Sequence, residues 1–290
     1  DLVLATFLAT GALAALFRAQ ILYTLPVSLF AMSVAAAELP EMSRMSTDRD
    51  ALAPRTRRSL DRIAFWMLGA SLVLIAAGDL IVGVLFGGGR FDGTDAVLVW
   101  LILAVYAAGL PAIGSSRLLQ NTCYAVGDTQ GPARIAGLRV LLAAGVGLVA
   151  MFPLDHYVIG PDGIIGPDGG IGFGPLDAAT RAVDGPVRLG AVGLALGSAV
   201  GAWIELALLG RLVGRHVPAV GDPRRALLRP AVAAAVAFVA TAALKLVADP
   251  LPILVEALVV VGFAGALYAV LCFRLGLRDA HLVLRPARRL

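Results

Sequence analysis

Residues 63–86, IAFWMLGASLVLIAAGDLIVGVLF, form an apolar run in which Asp79 is the single charged side chain. A helix rises about 1.5 Å per residue, so about 20 such residues cross the hydrocarbon core of a bilayer. The whole chain is similar, because hydrophobic residues make up 59% of its 290 residues and charged residues only 15%. A globular core cannot hide that much apolar surface. The sequence therefore predicts an all-α, polytopic membrane helix bundle.

Eight apolar stretches have the length of a membrane span. The first two share a tight junction at Pro26 and are followed by the polar, arginine-rich segment 43–61. We predict a six-helix bundle over 1–214 with an outside loop at 155–187, and two additional helices with a cytoplasmic tail over 215–290. Pro-Asp-Gly turns in the outside loop favour a small hairpin or an irregular cap. The predicted spans are 2–23, 25–42, 63–86, 94–126, 132–154, 188–213, 226–248 and 251–273.

Basic residues orient these predicted spans. If residues 43–61 are cytoplasmic, seventeen arginines fall on or next to that side, whereas three arginines and Lys245 fall on the other. Such an excess is typical of cytoplasmic loops under the positive-inside rule. With eight spans, both ends of the chain are expected in the cytoplasm.

Signatures of soluble enzymes are missing from the sequence. It contains no phosphate loop, no Gly-x-Ser-x-Gly elbow and no zinc-protease helix. Cys123 and Cys272 lie far apart in apolar stretches, so neither a disulfide framework nor a thiolate zinc site is indicated. The arginines have no interleaved aromatic patch, and nucleic acid is not an expected partner. These observations favour a transporter over an enzyme.

Six of the ionisable side chains within the predicted spans are informative, because each costs about 2.5–3.5 kcal/mol at a helix centre unless it faces a bundle interior or a wet cavity. Guanidinium groups bind phosphate well, so Arg18, Arg117 and Arg139 around one cavity suit a pyrophosphate-bearing substrate. The alternative is that these arginines pair with Glu205 or with helix carbonyls, or reach the membrane surface. The six residues are Arg18, Asp79, Arg117, Arg139, Glu205 and Glu256.

Three stretches carry a resemblance to a known family. They are DLVLATFLATGALAALFRAQILYTLPVSLFAMSVAAAELPEMSR at 1–44, FGGGRFDGTDA at 86–96 and RLLQNTCYAVGDTQGPARIA at 117–136. The first resembles helices seven and eight of the lipid II flippase family (MurJ, also called MviN). The stretch at 86–96 is similar to that family's outside turn between helices nine and ten, and the stretch at 117–136 is similar to its Asp-Thr junction. The resemblance covers about 1–150, and beyond that it depends on helix count and spacing.

The resemblance implies a lobe of a two-lobe exporter with fourteen helices, of the multidrug/oligosaccharidyl-lipid/polysaccharide superfamily. This chain resembles helices seven to fourteen, so the first lobe of the same protein is an expected partner, together with membrane lipids. The implied function is flipping of a polyprenyl-pyrophosphate-linked peptidoglycan precursor, lipid II, across a bacterial plasma membrane by alternating access. Two alternatives stay open: a polysaccharide-lipid flippase or multidrug cation antiporter of the same superfamily, and a non-transporting membrane scaffold for cell-wall synthesis.

Individual site residues follow from the resemblance unevenly. Asp1 falls on an aspartate that in some members contributes to a sodium site, which implies a possible Na⁺ site at Asp1, Asn121 and Asp128 and no other cofactor. The alternative is that Asp128 caps the helix that follows it. Ile21 stands where the family has its substrate-binding arginine. Arg18, one turn earlier on nearly the same helix face, is our hypothesis for the replacement.

Overall fold

The chain folds, in a computed structural model, into a bundle of long helices with one small sheet. The structure describes residues 2–8, 11–45, 48–88, 91, 93–160, 163–166, 172–176, 187–248, 251–277 and 279–281. The helices are α1 (Leu2–Ala5), α2 (Ala12–Pro26), α3 (Ser33–Arg44), α4 (Arg49–Ala76), α5 (Gly78–Phe86), α6 (Gly93–Ala125), α7 (Gln130–Asp155), α8 (Gly190–His216), α9 (Arg225–Ala248) and α10 (Ile253–Arg274). The strands are β1 (Val158–Gly160), β2 (Gly163–Ile165) and β3 (Val187–Arg188).

Seven helical segments of the described chain are long and apolar enough to cross a membrane. This confirms the prediction of a polytopic helix bundle, with seven candidate spans among the described residues where the sequence suggested about eight. The two expected spans 2–23 and 25–42 are replaced by one continuous helical segment, Ala12–Arg44, preceded by the short α1. The division into a bundle over 1–214 and two additional helices over 215–290 stays a prediction.

Pro26 explains the difference in count. Proline lacks an N–H group and its ring crowds the carbonyl of the preceding turn, so the sequence suggested a junction there. In the structure α2 widens after Pro26 into a π-helical segment, Val27–Met32, and continues directly as α3. A wider turn absorbs the lost hydrogen bond without ending the helix, as membrane helices commonly allow.

The described residues before α2 lie at one end of the bundle. Leu8 packs beside Gly190 and Asp155, at the end of the bundle opposite the segment 43–61. The described residues before α2 and those after α10 thus lie on opposite faces. Asp1 and residues 282–290 lie outside the described residues, and the expected cytoplasmic position of both ends stays a prediction.

A break between α4 and α5 is stabilised by side chains of two other helices. The break leaves the carbonyl of Ile75 to accept a hydrogen bond from Trp100 Nε1 at 3.1 Å. Lys245 Nζ lies 3.4 Å from the carbonyl oxygen of Ala76 and 2.7 Å from Asp79 Oδ2. Unsatisfied carbonyls are costly in lipid, so these contacts explain how the helix breaks at membrane depth. Asp79 is accordingly ion-paired to Lys245.

Glycines set the closest helix contact, between α7 and α8. A Cβ atom at Gly193 would lie 2.6 Å from the Met151 nitrogen, and one at Gly197 would collide with the carbonyl of Ala143. Small residues allow such backbone approach in membranes, where dispersion forces rather than hydrophobicity hold helices together. The last two helices, α9 and α10, pack against α4 and α5.

The predicted hairpin in the outside loop is confirmed for its described residues. Strands β1 and β2 pair antiparallel with Val158 opposite Ile165, and β3 pairs on the other side of β1. Arg188 in β3 is buried and donates from Nη1 to the carbonyl of Asp155 at 3.0 Å. The small sheet therefore closes the ends of α7 and α8.

Candidate functional site

Four helices of the bundle bring polar side chains together. Helix α6 packs against α2 and α8, and α8 packs against α7, which gives the spatial order α2, α6, α8, α7. We call the place where the polar side chains of these four helices meet the groove, and these side chains the groove cluster. Each of the four contributes a polar side chain at a similar depth: Tyr23, Gln120, Glu205 and Arg139.

Glu205 is the centre of this groove cluster. Its carboxylate is 1% exposed and accepts two hydrogen bonds, from Gln120 Nε2 to Oε1 at 2.9 Å and from Arg139 Nη1 to Oε2 at 2.8 Å. Burying a carboxylate demands such partners, because an uncompensated charge loses its hydration. In the structure Arg139 is therefore paired with Glu205, which was the alternative interpretation of this arginine. The Arg139 side chain nevertheless stays 25% exposed.

Arg117 lies beside the same cluster with its charge largely free. The residue is exposed, and its Nη1 makes one long contact of 3.5 Å with Gln120 Oε1. Two arginines and one glutamate leave the groove cluster with a formal charge of +1. Arg117 is therefore the guanidinium of this groove that is free to bind an anion.

Two tyrosines extend the cluster along the groove. The Tyr23 and Tyr106 rings lie 5.1 Å apart between centroids, and Tyr23 is within electrostatic range of Arg139, Arg117 and Glu205. Sequence reasoning missed Tyr23 and Gln120. The available signal was the amide of Gln120 in an apolar run, one helical turn after Arg117.

Arg18 lies apart from the other two predicted arginines. Its guanidinium carbon is 5.0 Å from the centroid of the Phe91 ring, in the turn that follows α5. Arg117 and Arg139 lie towards the other end of their helices, close to the arginine-rich face. The structure thus brings two of the three predicted arginines together, and Ile21 is an exposed apolar residue.

The predicted sodium ligands do not form a cation cage among the described residues. Asp128 Oδ1 accepts from the Gly131 N–H at 2.8 Å and Oδ2 lies 3.0 Å from His216 Nε2, so both oxygens have protein donors. These hydrogen bonds hold the pKa of the Asp128 carboxyl below its usual value. Asn121 donates its amide to the carbonyl of Ala35 at 2.8 Å. Asp1 lies outside the described residues, and the Na⁺ site stays a prediction.

An apolar cavity of about 390 Å³ opens between the π-helical segment, α4 and α10. The Phe30 and Trp66 rings stack at 4.8 Å on one side, and Tyr268 closes the other while its hydroxyl donates to the carbonyl of Phe65. Of the last two helices, α10 lines this cavity and α9 does not.

Comparison with known sequences identifies the family. The family model described as lipid II flippase MurJ matches residues 1–161, more than half of the chain. A probable lipid II flippase MurJ of Rhizobium tropici is 33% identical over 146 residues, covering 50% of this chain and 27% of that protein. Its counterpart in Rhizobium meliloti (strain 1021) is 26% identical over 291 residues, covering 96% of this chain and 48% of that protein.

A solved structure has the same fold. The lipid II flippase MurJ in an inward closed conformation matches 91% of this chain with a TM-score of 0.63 at 19% sequence identity. This chain covers 48% of that one, so it spans about half the length of the solved structure and of the Rhizobium meliloti relative. The resemblance identified in residues 1–44, 86–96 and 117–136 is thereby confirmed. The chain belongs to the lipid II flippase MurJ family.

Proposed function

We propose that the intact protein flips lipid II across the bacterial plasma membrane, and that this chain supplies one lobe of the transporter. The observation that carries the proposal is the polar cluster in which Arg117 and Arg139 outnumber the single carboxylate of Glu205. A net positive groove in a low-dielectric bundle attracts a diphosphate, and guanidinium groups bind its oxygens bidentately. No covalent chemistry is needed for this step.

Binding begins at Arg117 in this proposal. Its guanidinium is free to reach a phosphate oxygen, whereas Arg139 first has to weaken its bond to Glu205. The diphosphate then replaces Glu205 as the partner of Arg139, and Gln120 keeps the carboxylate hydrogen-bonded. The buried carboxylate therefore balances the arginine when the groove holds no substrate.

Movement of the two lobes about the bound headgroup completes the cycle by alternating access. The apolar cavity beside Phe30 and Trp66 suits a segment of the polyprenyl chain, since it is lined by apolar and aromatic side chains throughout. The arginine-rich face is cytoplasmic by the positive-inside rule, which puts Arg117 and Arg139 nearer the inner leaflet. The groove then faces the first lobe of the same protein.

A cation antiporter is the less favoured alternative. Such a protein needs a groove of net negative charge for its cationic drugs, whereas Arg139 neutralises Glu205 and Arg117 adds a further positive charge. A non-transporting scaffold differs in its consequence for the cell, and a depletion experiment separates it from a flippase.

The experiment depletes the intact protein in its own cells and measures how much lipid II is accessible from outside the membrane. We expect outward-facing lipid II to fall while total lipid II accumulates, and re-expression of the intact protein to restore it. Normal exposure of lipid II after full depletion rejects transport and leaves the scaffold. The same fall of outward-facing lipid II in depleted spheroplasts excludes an indirect effect of arrested wall growth.

A further inference from the structure

A second cavity, of about 860 Å³, opens at the arginine-rich face, away from the groove. Its walls come from residues 57–62 of α4, the start of α9 with the residues before it, and the residues after α10. The groove, in contrast, is formed by α2, α6, α7 and α8. We call this second cavity the basic cavity. Its charged lining residues are Arg57, Arg58, Asp61, Arg62, Asp222, Arg225, Arg229 and Asp279.

Three of the five arginines of the basic cavity have partners within the protein. Arg57 Nε donates to the carbonyl of Val220 at 2.8 Å, and Arg62 Nε lies 3.2 Å from Asp279 Oδ1. Arg58 donates to a carbonyl of its own helix. These contacts fix the walls of the cavity. They also join α4 to the segments before α9 and after α10.

Arg225 and Arg229 differ from these three. Neither side chain has a hydrogen-bond or ion-pair partner among the described residues, and both are exposed to the cavity. They are four residues apart on α9, so they share one helix face. Five arginines against three aspartates leave the lining with a formal excess of two positive charges.

The position of Arg225 makes this excess unfavourable for the protein alone. It is the first residue of α9, where the partial positive charge of the helix N-terminus repels a cation. Like charges at spacing i,i+4 also repel, and Arg57 and Arg58 face them across the cavity. An anion bound in the cavity would relieve all of these repulsions. No described carboxylate forms an ion pair with Arg225 or Arg229.

The apolar surface below the cavity indicates where the anion comes from. Leu228, which lines the cavity, is 63% exposed, and Val232, Val236 and Val239 continue an exposed apolar stripe along α9. Acyl chains cover such a stripe, while the arginines sit at headgroup level. A phosphate in free solution gains nothing from this stripe, whereas a lipid contacts both surfaces.

We propose that the basic cavity binds the phosphate group of an anionic lipid of the cytoplasmic leaflet, with Arg225 and Arg229 as its principal ligands. The site is separate from the groove and does not depend on the proposed transport of lipid II. Binding there holds α9 and the chain after α10 against α4. The bound lipid thereby stabilises the attachment of the last two helices to the rest of the bundle.

The test compares the intact protein with its Arg225→Gln/Arg229→Gln variant in nanodiscs of phosphatidylcholine alone or with phosphatidylglycerol. The matched control is Arg134→Gln/Arg215→Gln, which removes two exposed arginines of the same face from outside the cavity. We measure the melting temperature and, by native mass spectrometry, the phosphatidylglycerol retained. We expect phosphatidylglycerol to raise the melting temperature of the wild type and of the control. We expect the cavity variant to lose this rise and to retain about tenfold less of the lipid.

Each other outcome overturns the proposal. An equal loss in both variants means unspecific attraction of anionic lipid to a basic face. Stabilisation by inorganic phosphate in phosphatidylcholine discs, without an effect of phosphatidylglycerol, means a free anion instead of a lipid. In phosphatidylcholine alone the cavity variant should melt no lower than the wild type, because the substitutions relieve repulsion. A lower melting temperature there shows that Arg225 and Arg229 are structural.

Discussion

The groove cluster and the basic cavity both collect arginines, but they treat the charge in opposite ways. In the groove, Arg139 is bound to a carboxylate that is 1% exposed, and Gln120 supports that carboxylate from the other side. In the basic cavity, Arg225 and Arg229 have no described partner and are exposed at the arginine-rich face. Depth in the membrane explains the difference. A charge within the hydrocarbon core needs a counter-charge from the protein, whereas a charge at headgroup level can pair with anionic lipid.

This comparison teaches that arginine content alone does not identify a substrate site in this fold. An arginine at the face serves topology and lipid contact. An arginine within the bundle loses hydration free energy, and the carboxylate that pairs with it offsets this loss. The following predictions vary the partners of the two clusters and are ordered by the size of the expected effect.

Removal of the buried carboxylate should have the largest effect on stability. We expect Glu205→Ala to lower the unfolding free energy by about 3–5 kcal/mol, because it leaves Arg139 within the bundle without a counter-charge. Reversible denaturation in detergent micelles measures the loss. The control is Asp279→Ala, which removes the partner of Arg62 at the surface and should cost at most about 1 kcal/mol. Equal losses for the two variants contradict the distinction between the clusters.

Replacement of both members of the buried pair should have a smaller effect on stability. We expect Arg139→Met/Glu205→Leu to unfold within about 1–2 kcal/mol of the wild type, because well-packed apolar residues replace a buried ion pair at little net cost. Transport of lipid II by the intact double variant should nevertheless be lost. A double variant as unstable as Glu205→Ala shows that other groups of the groove depend on the pair.

Loss of Asp128 should have a pH-dependent effect at the arginine-rich face. Its pKa lies below the usual 3.8, with the Gly131 N–H as the first cause and His216 as the second. Because the folded state favours the carboxylate, this stabilisation is fully present well above the usual pKa of 3.8 and is lost as the pH falls through the lowered pKa. We therefore expect Asp128→Ala to be less stable than the wild type at pH 7, and the gap to close in acid. If the difference in stability between the two proteins stays constant down to pH 3, ionisation of the Asp128 carboxyl is not its cause.

Mutation of an unpaired arginine at the face should have the smallest effect. We expect Arg229→Ala to change the unfolding free energy in phosphatidylcholine by no more than about 0.5 kcal/mol, as for other surface positions. Thermal unfolding in nanodiscs measures the change. A loss comparable to that of Glu205→Ala means that Arg229 has a structural partner, and the two clusters are then alike.

Much of the fold could be predicted from the sequence because a bilayer imposes simple rules. Apolar length located the helices after residue 60, and arginine position separated the two faces. The span count differed at Pro26, since sequence shows a helix breaker there but not the π-helical segment that absorbs it. The break at Ala77 was missed for the same reason, because Trp100 and Lys245 from other helices satisfy its carbonyls.

The candidate site could be predicted only in part. Arg117, Arg139 and Glu205 were found because charges in apolar runs are conspicuous, and the Arg139–Glu205 pair was among the alternatives. Arg18 was expected at the same cavity. Its position along the helix does not reveal that its guanidinium packs over the Phe91 ring. The arginines of the basic cavity were interpreted as topology signals alone. Their common cavity depends on the packing of α4 against α9, which no local pattern contains.

The central claim is that Arg117 in the groove binds the diphosphate of the transported lipid. Its most direct test is the initial rate of lipid II flipping by the intact protein in proteoliposomes, for the wild type, Arg117→Gln and the control Arg134→Gln. A charge-assisted hydrogen bond contributes about 1.5–3 kcal/mol, so Arg117→Gln should lower the rate about tenfold or more without changing the melting temperature. Arg134→Gln should flip like the wild type. Wild-type flipping by a fully folded Arg117→Gln protein contradicts the account.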